Sequence, residues 1–236
     1  IQPEYRRTGI DAVTVTFSEA VTGVKWSDFD IVRGGMHLAL NDKLPLTSSG
    51  GTTWALGGLS SLTGEEGGYT VTFTGSGSSI QDSAHNAYPG TLTDAFVVDR
   101  AAPTVSIMAV DPDPQHGPVA FVDIVFSDVV VGVDMLDLEL SRDGGANLLN
   151  GQQSLSTTDQ RTYRLSGLSG LTGRLGSYQL RLKSSGTGIA DGAGNALVDG
   201  ASERFVVDTI MGTGSMIYLM RDVANANLLN VMVGAQ

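Results

Sequence analysis

The chain has 236 residues, 41% of them hydrophobic and 17% charged, with 31 glycines and no cysteine; the lack of cysteine excludes a disulfide frame and any thiolate metal or redox centre. Its formal charge of −11 offers no basic face for nucleic-acid phosphates, and no apolar run reaches the ~18 residues of a membrane-spanning helix. Gly, Ser, Thr and Val in place of helix formers describe short strands joined by tight turns.

In chain order, Val13, Val15 and Phe17 alternate with Thr14 and Thr16. This period of two predicts a strand with one buried face. Phe29 and Ile31 predict a second strand, Trp54 and Leu56 a third, and Tyr69, Val71 and Phe73 the clearest one. Ala95 to Val98 closes the set, and Gly-rich turns separate the strands at the spacing of an all-β sandwich. Glu65-Glu66-Gly67-Gly68-Tyr69 places a Tyr at the opening of a strand just after a corner. In Ig-type sandwiches such a Tyr buries its ring and turns its hydroxyl back onto nearby backbone. Thr104 to Val110 then predicts the first strand of a new unit.

Everything from Val13 recurs 109 positions later without a gap. Phe17-Ser18 meets Phe126-Ser127, Leu62-Thr63-Gly64 meets Leu171-Thr172-Gly173, Tyr69 meets Tyr178, and Phe96-Val97-Val98-Asp99 meets Phe205-Val206-Val207-Asp208. Of the 87 pairs from Val13 to Asp99, 33 are identical, so the two halves are copies of one module. The expected organisation is all-β: an Ig-like Greek-key sandwich over 1–99 lacking its first strand, a second over 100–208, and a C-terminal strand segment over 209–236. Ile1 is not a start residue, which suggests a processed or trimmed piece of something longer.

The run from Val13 to Val24, then Asp28-Phe29, Ile80 with Asp82 and Asn86, the closing Val-Val-Asp, Ala102-Pro103-Thr104, and Ile189 to Asn195 together resemble the bacterial Ig-like repeats of large secreted and cell-surface proteins. The resemblance covers residues 1–208 and is specific for the repeat type, not for a function. It implies a secreted or cell-surface location, a stalk or adhesion role in adhesin-type tandem arrays, and in some cases calcium at the joints between repeats. The tail departs from the pattern, with Ile-Met-Gly where Ala-Ala-Pro stood.

Catalytic constellations are not evident. His37, His85 and His116 lie near no obvious acid partner in the sequence, and neither Gly-x-Ser-x-Gly nor His-Glu-x-x-His occurs. Glu65-Glu66 are adjacent in a turn, unlike a glycosidase pair facing across a cleft. Gly75-Ser-Gly77 and Gly192-Ala-Gly194 read as turns and not phosphate loops. The carboxylates carry more. Asp191-Gly-Ala-Gly-Asn195 sits in the loop before the last strand, and the first copy reads Asp82-Ser-Ala-His85-Asn86. If the fourth position needs positive φ, His is among the tolerated side chains. In an Ig-like sandwich Asp99, Asp128, Asp191 and Asn195 converge at the joint, with Glu65 and Glu66 opposite. Their oxygens suit calcium. The other reading is Asx-turns that cap loop amides with no metal. Asp111-Pro-Asp-Pro114 reads as a rigid acidic turn in preference to a metal site.

Met216 to Met220 falls where the first strand of a further sandwich would start, whereas the first copy has no such strand. The tail then fills the first copy of a neighbouring subunit, begins a next domain, or pairs within its own chain; Asn225 to Asn230 reads as a turn and Val231 to Val233 as a further strand, which fits a next domain. The functional expectation is a non-enzymatic extracellular structural or adhesive module that polymerises by strand addition. The alternative is an accessory module of a larger secreted enzyme or carbohydrate-binding protein. Expected partners are copies of itself, neighbouring Ig-like domains or surface and matrix glycans, with no nucleic acid and no membrane insertion.

Overall fold

The computed structural model describes residues 1–208 and the backbone of two strands beyond them. In the first copy, β1 (Tyr5–Arg6), β2 (Val13–Thr16), β3 (Phe29–Arg33), β4 (Met36–His37), β5 (Leu46–Ser49), β6 (Thr53–Leu56), β7 (Gly67–Thr74) and β8 (Thr91–Val98) form two sheets of order β1-β8-β7-β3-β4 and β2-β6-β5. In the second copy, β9 (Val105–Ile107), β10 (Phe121–Phe126), β12 (Leu138–Arg142), β13 (Ser154–Thr157), β14 (Thr162–Ser166), β15 (Gly176–Leu182) and β17 (Ala201–Val207) form sheets of order β13-β14-β10-β9 and β12-β15-β17, while β11 (Val130–Val131) and β16 (Ala190–Asp191) make a short ribbon. The remaining strands, β18 (Met216–Arg221) and β19 (Leu229–Gly234), pair antiparallel as a two-stranded sheet. This hairpin is compatible with each of the three readings of the tail.

Contacts group the chain into two compact units. One holds Ile1–Thr104, Ser127–Val133 and Gly188–Val198; the other holds Val105–Phe126, Asp134–Thr187 and the residues from Asp199 on. Two loop segments of the second copy therefore belong to the first unit.

Alternation decides which residues are buried. On β2, Val13 and Val15 are buried and Thr14 and Thr16 exposed. On β7, Tyr69, Val71 and Phe73 point inward, and with Phe29, Ile31, Leu56, Leu59, Ile80 and Phe96 they build the first core. The second unit repeats this with Val122, Ile124, Phe126, Leu138, Leu140, Leu165, Tyr178, Leu180 and Phe205. Each such burial contributes about 1.5–3 kcal/mol against chain entropy. The expected Tyr corner forms in both copies. The Tyr69 hydroxyl donates to the Glu65 carbonyl at 2.7 Å, and that of Tyr178 to the Arg174 carbonyl at 2.7 Å. The rings stack on Phe96 and Phe205 at 4.8 and 5.2 Å.

A second anchor recurs with them. Thr63 and Thr172 are fully buried. The Thr63 hydroxyl accepts from the Ile10 amide at 3.0 Å, and that of Thr172 lies 2.9 Å from the Val119 carbonyl. The strand after β2 is reached through a 3-10 turn at Trp26–Asp28, and its twin is Met135–Asp137; Asp28 and Asp137 accept from the amides of Lys25 and Asp134 at 2.7 and 2.9 Å. Among the described residues no helix is long and apolar enough to cross a membrane.

Candidate functional site

The acidic loops before the closing strands adopt one hydrogen-bond pattern in both copies. The Asp82 carboxylate accepts from the amides of Ala84 and Asn86 at 2.8 and 2.9 Å and from Asn86 Nδ2 at 2.8 Å. Asp191 accepts from the amides of Ala193 and Asn195 and from Asn195 Nδ2, each at 2.9 Å. The fourth position has positive φ in both, 65° at His85 and 85° at Gly194, as the loop pattern anticipates. The Asn86 side chain, then the Asn86 amide, hold the Asp82 carboxyl below its ordinary value. The copies differ in exposure: Asn86 is open to solvent, whereas Asp191 and Asn195 are buried.

Within the first unit, Asn195 Nδ2 also donates to the Asp99 carbonyl at 3.1 Å. So Asp191, Asn195 and Asp99 do meet, but Asp99 takes part through its main chain; its carboxylate accepts from the Ala101 amide at 2.9 Å. The Asp128 carboxylate is bonded to the Ser127 hydroxyl at 2.6 Å. Calcium takes six to eight oxygens, whereas both Asp191 oxygens here already accept from N–H donors. Among the described residues no three His, Cys, Asp or Glu are placed to hold a metal ion. As arranged, Asp99, Asp128, Asp191 and Asn195 do not fit a calcium cage unless these amide bonds open.

Residues that the sequence reading did not single out tie down the segment between the copies. The Arg100 amide donates to Glu66 at 3.0 Å, its Nε donates to the Arg7 carbonyl at 3.1 Å, and its guanidinium also reaches the Gly64 carbonyl. Thr104 and Ser127 exchange two hydrogen bonds, at 2.8 and 2.9 Å. No repeat signal marks Arg100, because position 209 is Thr. Glu66 thus caps an amide; Glu65 lies 4.0 Å from Arg33. One histidine needs correction: His37 has an acid partner after all, Asp30, at 2.8 Å. The β3–β4 register opposes Val32 and His37, which puts Asp30 on the same face, diagonal to the ring. The pair is largely solvent-exposed.

The other feature of the first unit is a groove of about 580 Å³ beside β2, lined by Ile10, Val13, Val15, Val71, Phe73 and Leu92 among others. Among the described residues β2 lies at the edge of its sheet and pairs with β6 alone. Its counterpart β10 pairs with β14 on one side and with β9 on the other. The consequence shows in the side chains: Phe17 is only half-buried, whereas its counterpart Phe126 is 2% exposed. Leu92 on the facing sheet is 49% exposed. Arg6 also lines the groove, and its guanidinium lies 5.8 Å from the Phe96 ring centroid.

The strand orders define an all-β protein of tandem Ig-like sandwiches. The chain matches no known family and no curated protein. Among solved structures it is similar to an I-band fragment of titin, at 13% identity and TM-score 0.31 over 86% of this chain and 62% of that one. It is similar to native alpha-2-macroglobulin from Escherichia coli at 12% identity and TM-score 0.33, over 94% and 72%. It is also similar to the N-terminal part of the bacterial S-layer protein SbsC, at 17% and 0.27, over 86% and 42%. The chain therefore spans less than two thirds of the titin and S-layer fragments.

Proposed function

We propose that this chain is a non-enzymatic structural module of a secreted or surface-attached bacterial protein, a spacer or adhesive element built by duplicating one Ig-like sandwich. The observation that carries this reading is the repetition itself. The same Tyr corner, the same buried Thr and the same self-bonded Asp–Asn loop occur 109 residues apart. Duplication of a whole scaffold, loops included, multiplies length and attachment points, whereas one active site gains nothing from it. The acidic loops support the same reading, because their polar atoms are engaged in holding backbone. The −11 charge suits an exposed, soluble surface.

The location is tested by antibodies against the purified chain applied to intact cells of an organism that makes it. Labelling without permeabilisation supports the reading; labelling only after permeabilisation overturns the surface assignment.

A further inference from the structure

The outer face of the β12-β15-β17 sheet in the second copy carries charges that its twin lacks. We propose that this face binds an acidic polysaccharide, with Arg181 and Arg204 receiving the carboxylates of its uronic-acid units. The proposal rests on the module reading and gives its adhesive side a ligand class.

Alternation sets the geometry. On β15, Tyr178, Leu180 and Leu182 point into the core, so Gln179 and Arg181 point out. On β17, Phe205 and Val207 point in, and Ser202 and Arg204 point out. The ladder sets Gln179 opposite Arg204 and Arg181 opposite Ser202. The two arginines are therefore diagonal neighbours on one face, about 7–8 Å apart. Among the described residues neither guanidinium has a hydrogen-bonding or ionic partner. Glu139 stands directly across from Arg181, but Lys183 holds it at 3.5 Å while donating to the Leu136 carbonyl at 2.7 Å. Two like charges on one face repel, and an anion that bridges them removes the repulsion.

The first copy is an internal control. Its register is the same, with Thr70 opposite Ala95 and Thr72 opposite Thr93, and Thr72 and Ala95 stand where Arg181 and Arg204 do 109 residues later. That sheet forms without the arginines, so they are not needed to build it. The chain as a whole, at −11, repels an anion. Physiological salt screens exposed charges beyond about 8 Å, which leaves the two arginines to act locally.

The surroundings select the anion. A depression of about 410 Å³ lies beside Arg181, lined by Gln179, Ser184, Asp199 and Ser202 among others. A guanidinium takes a carboxylate through two parallel N–H donors. The amide and hydroxyls of Gln179, Ser184 and Ser202 exchange hydrogen bonds with sugar hydroxyls, and Asp199 accepts from them. The outward positions of β12, β15 and β17 hold no aromatic ring, so nucleobases find no stacking platform.

The test is calorimetric titration of the full chain with a galacturonic-acid oligomer, a neutral glucose oligomer of equal length and a single-stranded DNA oligomer. The expected result is binding of the galacturonic-acid oligomer alone, weakening as salt rises. Arg181→Thr and Arg204→Ala install the residues of the first copy. Each must weaken binding about tenfold or more, and together they must remove it. Should the double variant fail to fold by circular dichroism, amide chemical shifts of the parent decide: the oligomer must move Gln179, Arg181 and Ser202 and leave Thr70, Thr72 and Thr93 in place. No binding at millimolar oligomer, undiminished binding by the folded double variant, or preference for the neutral oligomer or for DNA overturns the proposal. Each of these outcomes leaves the surface labelling untouched, so failure of this site and failure of the module reading are told apart.

Discussion

The two acidic loops give an internal control, because one substitution can be made twice in one molecule. Asp191→Ala removes an acceptor from the Ala193 amide, the Asn195 amide and Asn195 Nδ2. Two of these donors are buried, and of these the Asn195 Nδ2 keeps the Asp99 carbonyl. A hydrogen bond to a charged acceptor contributes about 1.5–3 kcal/mol, and stranded buried donors cost a similar amount. Three bonds to one carboxylate are not additive, and the half-exposed Ala193 amide finds water, so the expected loss is about 3–4 kcal/mol. For a sandwich of this size that corresponds to a fall of roughly 15 °C in melting temperature. Asp82→Ala cuts the same three bonds in a loop open to water, and its loss must be clearly smaller. Urea and thermal unfolding of both variants, run in chelator and again in millimolar calcium, measure the difference. With the bonds as they stand, calcium leaves all three proteins unchanged. Equal losses in the two loops refute the burial argument. A calcium-dependent rise in the parent that Asp191→Ala abolishes refutes the metal-free loop and restores the calcium site.

Three further substitutions have defined outcomes. Gly132 has φ of 86°, and a Cβ there would sit 2.4 Å from the Gly188 carbonyl oxygen, so Gly132→Ala lowers stability by about 3 kcal/mol or more in denaturant titration. Thr172→Val keeps the shape but leaves the buried Val119 carbonyl without its hydroxyl donor, a loss of about 1–2 kcal/mol in the same assay. Arg164, bonded to Asp123 at 2.7 and 2.8 Å, holds that carboxyl below its ordinary 3.8. A depressed folded value means the contribution is present above the unfolded value and lost as pH falls through the folded one. Asp123→Asn therefore flattens the decline of melting temperature below pH 3.8, and an unchanged slope would contradict the pairing.

Much of this architecture was legible because the chain states it twice. A strand such as β7 betrays itself through Tyr69, Val71 and Phe73, and alignment with Tyr178, Leu180 and Leu182 removes the ambiguity of a single pattern. The positive φ of His85 was legible for the same reason, since a glycine stands at its twin. β5 was not: Leu-Thr-Ser-Ser has one apolar residue and no period, and it forms as a partner for β6. Nor was β1, two residues held parallel to β8 by long-range pairing. Asp191, Asn195 and the Asp99 main chain do meet, but sequence gives no view of which atoms face inward. Asp99 contributes a carbonyl where a carboxylate was expected, and Asn195 satisfies Asp191 from four residues away. His37 and Asp30 meet through a hairpin register that spacing alone does not set.

One sandwich built twice gives two bodies that unfold separately. Pulling single molecules from their two ends measures this directly. Two unfolding steps are predicted, each releasing about 30 nm, since roughly 100 residues extend at about 3.5 Å apiece less the folded end-to-end distance. One step of twice that length, or a ladder of short steps, would contradict it.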